Sequence, residues 1–334
     1  MNKKYSELAE LFRSEKTDEE ILDFLLNYHK NDIADMMAGM TEEERKRLYH
    51  LLGAQKVAEI FKYIEEPRKY IRELSVESAA RVISEMDSDD AVDLLEDLDP
   101  EEKEQIVRML DEDAKKDVKM LLSYDEEEIG SCMTTNYICI PENLTIRQAM
   151  SELVKQAGEN DNIMTIYVVD EKGVFAGAID LKDLIRAREN AHLEDLVLKS
   201  YPYVTDHEKI DDCMDRILDY AEDSIPVLSE DKRILGVITS EDLIEMVDNE
   251  MGEDYAKLAG LTAEEDLKEP TLQSMKKRLP WLIILLFLGM AVSSVVGLFE
   301  NVVAVLPIVI CFQSLVLDMS GNVGTQSLAA VSYT

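Results

Sequence analysis

From Leu279 to Phe299 the chain reads LPWLIILLFLGMAVSSVVGLF, 21 residues without a charge. A stretch of that length predicts a helix able to cross the hydrocarbon core of a bilayer. A second apolar stretch starts at about residue 302 and holds GNVGTQS at Gly321–Ser327. Lys276, Lys277 and Arg278 stand directly before the first span. By the positive-inside rule they place residues 1–278 in the cytoplasm of a cell whose plasma membrane is the partner bilayer. The N-terminus, MNKKYSELAELFRSEK, has no apolar core and predicts no cleavable signal.

Ahead of those spans the chain is acidic. Asp and Glu number 70 against 35 Lys and Arg, a formal net charge of −35. Such a surface excludes non-specific binding of nucleic acid and attracts cations. The four cysteines, Cys132, Cys139, Cys213 and Cys311, form no CxxC pair, and the four histidines lie far from them in sequence. Neither a zinc site nor a disulfide framework is expected. No nucleophile–base grouping and no P-loop is present, so no enzyme is expected.

Residues 1–129 predict an acidic all-α domain. Apolar residues recur at helical spacing, as at Ile21, Leu22, Leu25 and Leu26. From Met86 a period of twelve appears: Met86-Asp87-Ser88-Asp89-Asp90, then Leu98-Asp99-Pro100-Glu101-Glu102, then Leu110-Asp111-Glu112-Asp113. Thr41, Asp87, Asp99 and Asp111 suit helix N-caps, and an acid three residues after the first three completes a capping box. Pro100 suits the first helical position. Helices this short bury their apolar faces only by stacking, so a superhelical solenoid is expected. Capping accounts for many of the acids. It does not account for Asp93, Glu96 and Asp97, which lie beyond the first turn.

At Gly130 strands appear, and one α/β unit occurs twice. YVVDEKGVFAGAIDLKDL (167–184) matches PVLSEDKRILGVITSEDL (226–243). This doubled hairpin-then-helix resembles a tandem pair of cystathionine-β-synthase (CBS) domains, at 130–197 and 198–248. The resemblance implies an adenine-nucleotide site, such as one for ATP, with a Ser/Thr and an Asp three residues on as the ribose contact. The second copy has Thr239 and Asp242. The first departs, with Asp180 in place of the hydroxyl and Asp183 in the acidic position. The alternative, that both are helix N-caps, stays open.

The last helix of the second copy runs on through SEDLIEMVDNEMGEDYAKL toward residue 275. Asp242, Glu245, Glu250 and Glu253 recur along it, a second acidic cluster to set beside Asp89, Asp90 and Asp93. Two such clusters repel: one charge pair at ~6 Å with effective ε of ~20 costs roughly 2–3 kcal/mol. A hard divalent cation with oxygen ligands reverses that sign.

The order of MDSDDAVDLLEDL, a CBS pair entered through GSCMT, an acidic connecting helix, and RLPWLIILLFLGMAVSSVVGLFE followed by GNVGTQS resembles the MgtE family of magnesium transporters. The resemblance implies a homodimer whose membrane helices pass Mg2+ and whose cytosolic part senses it. Asp89, Asp90, Asp93, Asp242, Glu245, Glu250 and Glu253 would be the sensing acids. Gly321, Asn322, Gly324 and Gln326 would be the pore motif. One departure is Tyr220-Ala221 ahead of Glu222 and Asp223, where relatives commonly carry tyrosine–aspartate. The expected whole is multidomain: an all-α superhelical N domain, an α/β tandem CBS pair, a long connecting (plug) helix at 249–275, and a truncated α-helical transmembrane domain at 276–334. The alternative reading is a membrane-tethered CBS-pair regulator that senses nucleotide or Mg2+ and transports nothing.

Overall fold

The computed structural model describes residues 17–64, 66–158, 160–188, 191–248, 271–299 and 307–332. They fall into two compact units, Met1–Leu243 and Ile244–Thr334.

Among the described residues of the first unit eight helices come first: α1 Asp18–Leu25, α2 Lys30–Met37, α3 Glu42–Phe61, α4 Pro67–Ile71, α5 Val76–Ser84, α6 Ser88–Glu96, α7 Pro100–Met109 and α8 Glu112–Leu121. Capping sets most of their starts. Thr17 and Thr41 form reciprocal boxes with Glu20 and Glu44, and Asp111 Oδ1 accepts from the Ala114 N–H at 2.8 Å. The twelve-residue period is real, and between the less regular copy expected at Met40–Glu44 and the one at Met86 it includes a further copy at Ser75, whose hydroxyl caps α5 by accepting from the Ser78 N–H. α5 packs on α7 and α6 on α8, each helix stacking on the one two along. That stacking buries Ala79, Ala80, Val82, Ile83, Leu94, Leu95, Val118 and Leu121.

One expected cap fails. The Asp87 carboxylate takes no N–H of its own helix. Its Oδ1 accepts from Asn136 Nδ2 at 2.8 Å instead, so a residue of the following domain displaces the local donor.

The two α/β copies follow. The first has β1 Ile138–Pro141, α9 Ile146–Gln156, β2 Thr165–Val169, β3 Phe175–Asp180 and α10 Leu181–Arg186. The second has β4 Val204–Thr205, α11 Ile210–Tyr220, β5 Ser224–Leu228 and β6 Ile234–Thr239, then a helix over 240–248, here α12. Each sheet has three strands, the first two parallel and the last two antiparallel. Tyrosines join the copies. The buried Tyr167 hydroxyl bonds Ser224 Oγ at 2.6 Å, and Tyr201 donates to the Ser224 carbonyl at 2.7 Å.

Matching glycines admit the chain that enters each copy. A Cβ on Gly177 would stand 2.6 Å from the Leu198 carbonyl oxygen, and one on Gly236 would stand 2.7 Å from that of Thr134. Thr134 and Val237 exchange backbone hydrogen bonds of 2.8 and 2.9 Å beside Gly236. The neighbouring residues dock the helical domain: Thr135 N–H donates to Ser88 Oγ at 2.9 Å and Thr135 Oγ1 to Asp117 Oδ2 at 2.8 Å.

In the second unit two further helices are described, α13 Thr271–Leu298, with Pro280 inside it, and α14 Pro307–Ser332. Among the described residues no helix is long and apolar enough to cross a membrane. The crossings expected at 279–299 and from 302 are thus not established by the fold. Most of the expected connecting helix, with Glu250 and Glu253, lies outside the described residues.

Gly236→Ala should separate Thr134 from β6 and lower the unfolding free energy by about 1–3 kcal/mol, the usual cost of overpacking. Urea unfolding of the whole protein in detergent reads this, and an unchanged midpoint would count against the close approach.

Candidate functional site

Two acid-bearing helix starts meet where the helical domain adjoins the second α/β copy. α6 carries Asp89 and Asp90 in its first turn. α12 carries Glu241 and Asp242 in its own. Each set is sensible alone, because unsatisfied N–H groups and the helix dipole favour carboxylates at an N-terminus. Asp242 Oδ2 accepts from the Thr239 N–H at 2.7 Å, and the Asp242 N–H donates to Thr239 Oγ1 at 3.3 Å. The Thr–Asp pair of the second copy is therefore a reciprocal N-cap in this state.

Together the acids are in conflict. Asp89 Oδ1 is buried with no hydrogen-bond partner. Burial raises the Asp89 pKa well above the ordinary carboxylate value, and Asp242, Asp90 and Asp87 add to the rise. Asp90 is pushed up to about 7 by burial, against the pull of Lys62 and with Asp87, Asp242 and Asp93 adding. Asp242 is raised by burial although its bonds to Thr239 and the charge of Lys62 oppose this. The Cys132 thiol, raised to about 11 by burial, lies close enough to feel Asp93, Asp242 and Asp89.

One cation already stands among them. Lys62 Nζ lies 3.2 Å from Glu241 Oε2, 3.6 Å from Asp87 Oδ2 and 3.9 Å from Asp90 Oδ2. The sequence reading missed Lys62, since nothing in its neighbourhood along the chain connects it with these acids.

The structure thus brings Asp89, Asp90 and Asp242 together and adds Asp87, Glu241 and Lys62. Asp93 lies near enough to add to the rise at Asp90. Asp93 and Glu245 are exposed, and Glu250 and Glu253 lie outside the described residues. Asp183 is exposed on α10, and Asp180 makes no side-chain cap. Glu222 belongs elsewhere, with its pKa raised by burial and by Asp180 while Tyr201 opposes. Gly321, Asn322, Gly324 and Gln326 are exposed on α14.

A hard divalent cation fits the chemistry of this donor set: carboxylate oxygens, one of them buried and without a partner. Among the described residues no three His, Cys, Asp or Glu converge closely enough to hold a bare ion. The arrangement suits an ion that keeps part of its water, as Mg2+ does.

The comparisons agree with the fold. Residues 28–127 match the MgtE intracellular N domain, and 127–190 and 193–249 match the CBS domain. The chain is 38% identical over 333 residues to the magnesium transporter MgtE of Enterococcus faecalis, covering 98% of this chain and 73% of that protein. It is 30% identical over 213 residues to the one from Thermus thermophilus, covering 62% of this chain and 47% of that protein. A crystal structure of the soluble part of a magnesium transporter superposes with TM-score 0.70 at 30% identity, covering 74% of this chain and 98% of that one. The cytosolic domain of the Mg2+ channel MgtE in complex with ATP superposes with TM-score 0.65 at 26% identity, covering 72% and 99%.

A pH dependence follows from the raised carboxyls. Asp90 binds its proton more tightly when folded, with its pKa moving from 3.8 to about 7. The protonated form is therefore the one the junction favours. In metal-free protein the junction should weaken as pH rises from about 4 through about 7. Limited proteolysis across that window, in chelator, should show faster cleavage toward high pH, and Asp90→Asn should flatten the profile. A flat wild-type profile would contradict the burial of these acids.

Proposed function

The chain belongs to the MgtE family of magnesium transporters, and from that membership we propose that its acidic junction is a Mg2+ sensor that regulates Mg2+ passage through the membrane. The observation that carries this reading is the buried, unpartnered Asp89 oxygen facing a second acidic helix start. Without a divalent ion, Asp89, Asp90 and Asp242 repel and favour separation of the helical domain from the second CBS copy. A bound Mg2+ reverses the sign and favours docking. α12 begins at those acids and carries the boundary between the two units, after Leu243. Docking at its start therefore acts on the connecting segment, 249–275, and through it on the membrane helices.

The charge-free run of α13 and the basic Lys276–Arg278 support a crossing with residues 1–278 in the cytoplasm. Gly321, Asn322, Gly324 and Gln326 on α14 are the proposed contribution to the ion path, with Mg2+ as cargo.

A second copy of this chain is the proposed partner. Val154 on α9 and Leu218 on α11 occupy equivalent helix positions, as do Ile185 and Ile244, and all four are exposed. Two like apolar pairs related by the internal repeat suit a two-fold interface. Ile185→Asp combined with Ile244→Asp should convert a dimer to a monomer in light scattering, whereas an unaltered mass would rule that face out.

Adenine nucleotide is a second ligand reading, supported by the ATP complex of the solved relative and by the Thr239–Asp242 pair. Calorimetry with ATP and with Mg2+ separates the two: nucleotide binding without a Mg2+ response would favour a regulator that transports nothing.

The sensor reading predicts that millimolar-range Mg2+ slows proteolysis of the wild-type junction. The triple change Asp89→Asn, Asp90→Asn and Asp242→Asn should slow cleavage in chelator and abolish the Mg2+ response. A triple variant that responds as the wild type does would refute it.

A further inference from the structure

Lys62 stands out among the charges of the first unit. It is the C-cap of α3, so its ammonium sits at the end of a helix that favours positive charge. Its three neighbours come from two domains: Asp87 and Asp90 from the helical domain, and Glu241 from the second CBS copy. The Lys62 side chain is 27% exposed, enough to swing but shielded from full solvation. Its separations of 3.2 to 3.9 Å describe one cation shared among three acids rather than one tight pair. Burial opposes its charge, yet Asp90, Asp87 and Glu241 hold its pKa well above the ordinary lysine value.

The positions of the acids divide the junction in two. Among the described residues Lys62 pairs with Asp87, Asp90 and Glu241, and no ion pair joins it to Asp89 or Asp242. The buried oxygen without a partner belongs to Asp89. One ammonium cannot balance five carboxylates, so its presence leaves the Asp89–Asp242 side of the junction short of positive charge.

We propose that Lys62 is a tethered counter-ion that holds the helical domain against the second CBS copy before any divalent cation binds, and that it thereby lowers the Mg2+ concentration needed to complete docking. The first half stands on geometry alone. The second half rests on the Mg2+ reading of the same junction. Lys62 would be a positioning residue, acting through where it holds α12. Its attraction to three acids within 4 Å is set against its repulsion of an ion on the Asp89 side, and the direction of the Mg2+ midpoint below reads the balance.

The test uses the full chain in detergent, with limited proteolysis at the junction as the readout. Wild type, Lys62→Met, Lys62→Arg and Glu241→Gln are compared first in chelator and then across a Mg2+ titration. In chelator, Lys62→Met should cleave about threefold faster than wild type, the scale of a partly exposed ion pair, and Lys62→Arg should restore the wild-type rate. Glu241→Gln should approach the Lys62→Met rate from the other side of the contact, which guards against a folding defect peculiar to one variant. The Mg2+ midpoint of Lys62→Met should move to higher concentration by a similar factor, with raised monovalent salt reducing the difference between the proteins. Equal cleavage of wild type and Lys62→Met in chelator would overturn the tethered counter-ion. A midpoint that moves to lower Mg2+ would overturn the threshold role and make the ammonium a competitor. A wild type that ignores Mg2+ would overturn the sensor reading while leaving the comparison in chelator intact as the test of the first half.

Discussion

Repulsion between carboxylates at two helix N-termini is the constraint around which the first unit is arranged. Each helix start attracts acids for local reasons, since an N-terminus offers unsatisfied N–H groups and a positive dipole end. The fold then sets two such starts against each other, which removes water from Asp89 and leaves one of its oxygens without a partner. Local preference and tertiary arrangement thus oppose one another at a single place. Such a conflict persists where the surrounding structure over-determines it, and it commonly marks a functional element.

What over-determines the junction is a set of contacts that carry little or no charge conflict. Thr135 reaches Ser88 and Asp117, Asn136 reaches Asp87, and Tyr124 donates to Asp206 Oδ2 at 3.1 Å. Ile129 and Gly130 donate their N–H groups to the Glu208 and Asp206 carbonyls. These bonds join the helical domain to the α/β pair beside the acidic junction.

The helical repeat and both α/β copies were legible in the sequence because capping and strand alternation are local. The repeat at Ser75 was overlooked because its cap is a serine with Ser78 where the next two copies carry Asp90 and Glu102. Asp87 was read as a cap and is not one, because Asn136, far along the chain, offers a better donor than the helix does. Asp89 and Asp90 were set beside Asp242 on the charge of the two acidic runs and on the MgtE resemblance. Which of them loses its solvent was not anticipated, since that depends on the rotation of α6 against the second copy. Lys62 carried no signal at all: its role arises only when the C-terminus of α3 arrives beside α6 and α12.

The two α/β copies share strand order, register and even their close-approach glycines, Gly177 and Gly236, yet they diverge at the first helical residues after the hairpin. In the first copy Asp180 is not a cap and faces Glu222 and Tyr201, within the pair itself. In the second, Thr239 and Asp242 cap α12 and face the helical domain. Only α12 continues across the boundary into the second unit, which falls directly after Leu243. Asp242 is thus one residue from the end of the first compact unit. The internal duplication supplies two similar scaffolds, and the second sets an acid at its helix start beside the acids of the helical domain.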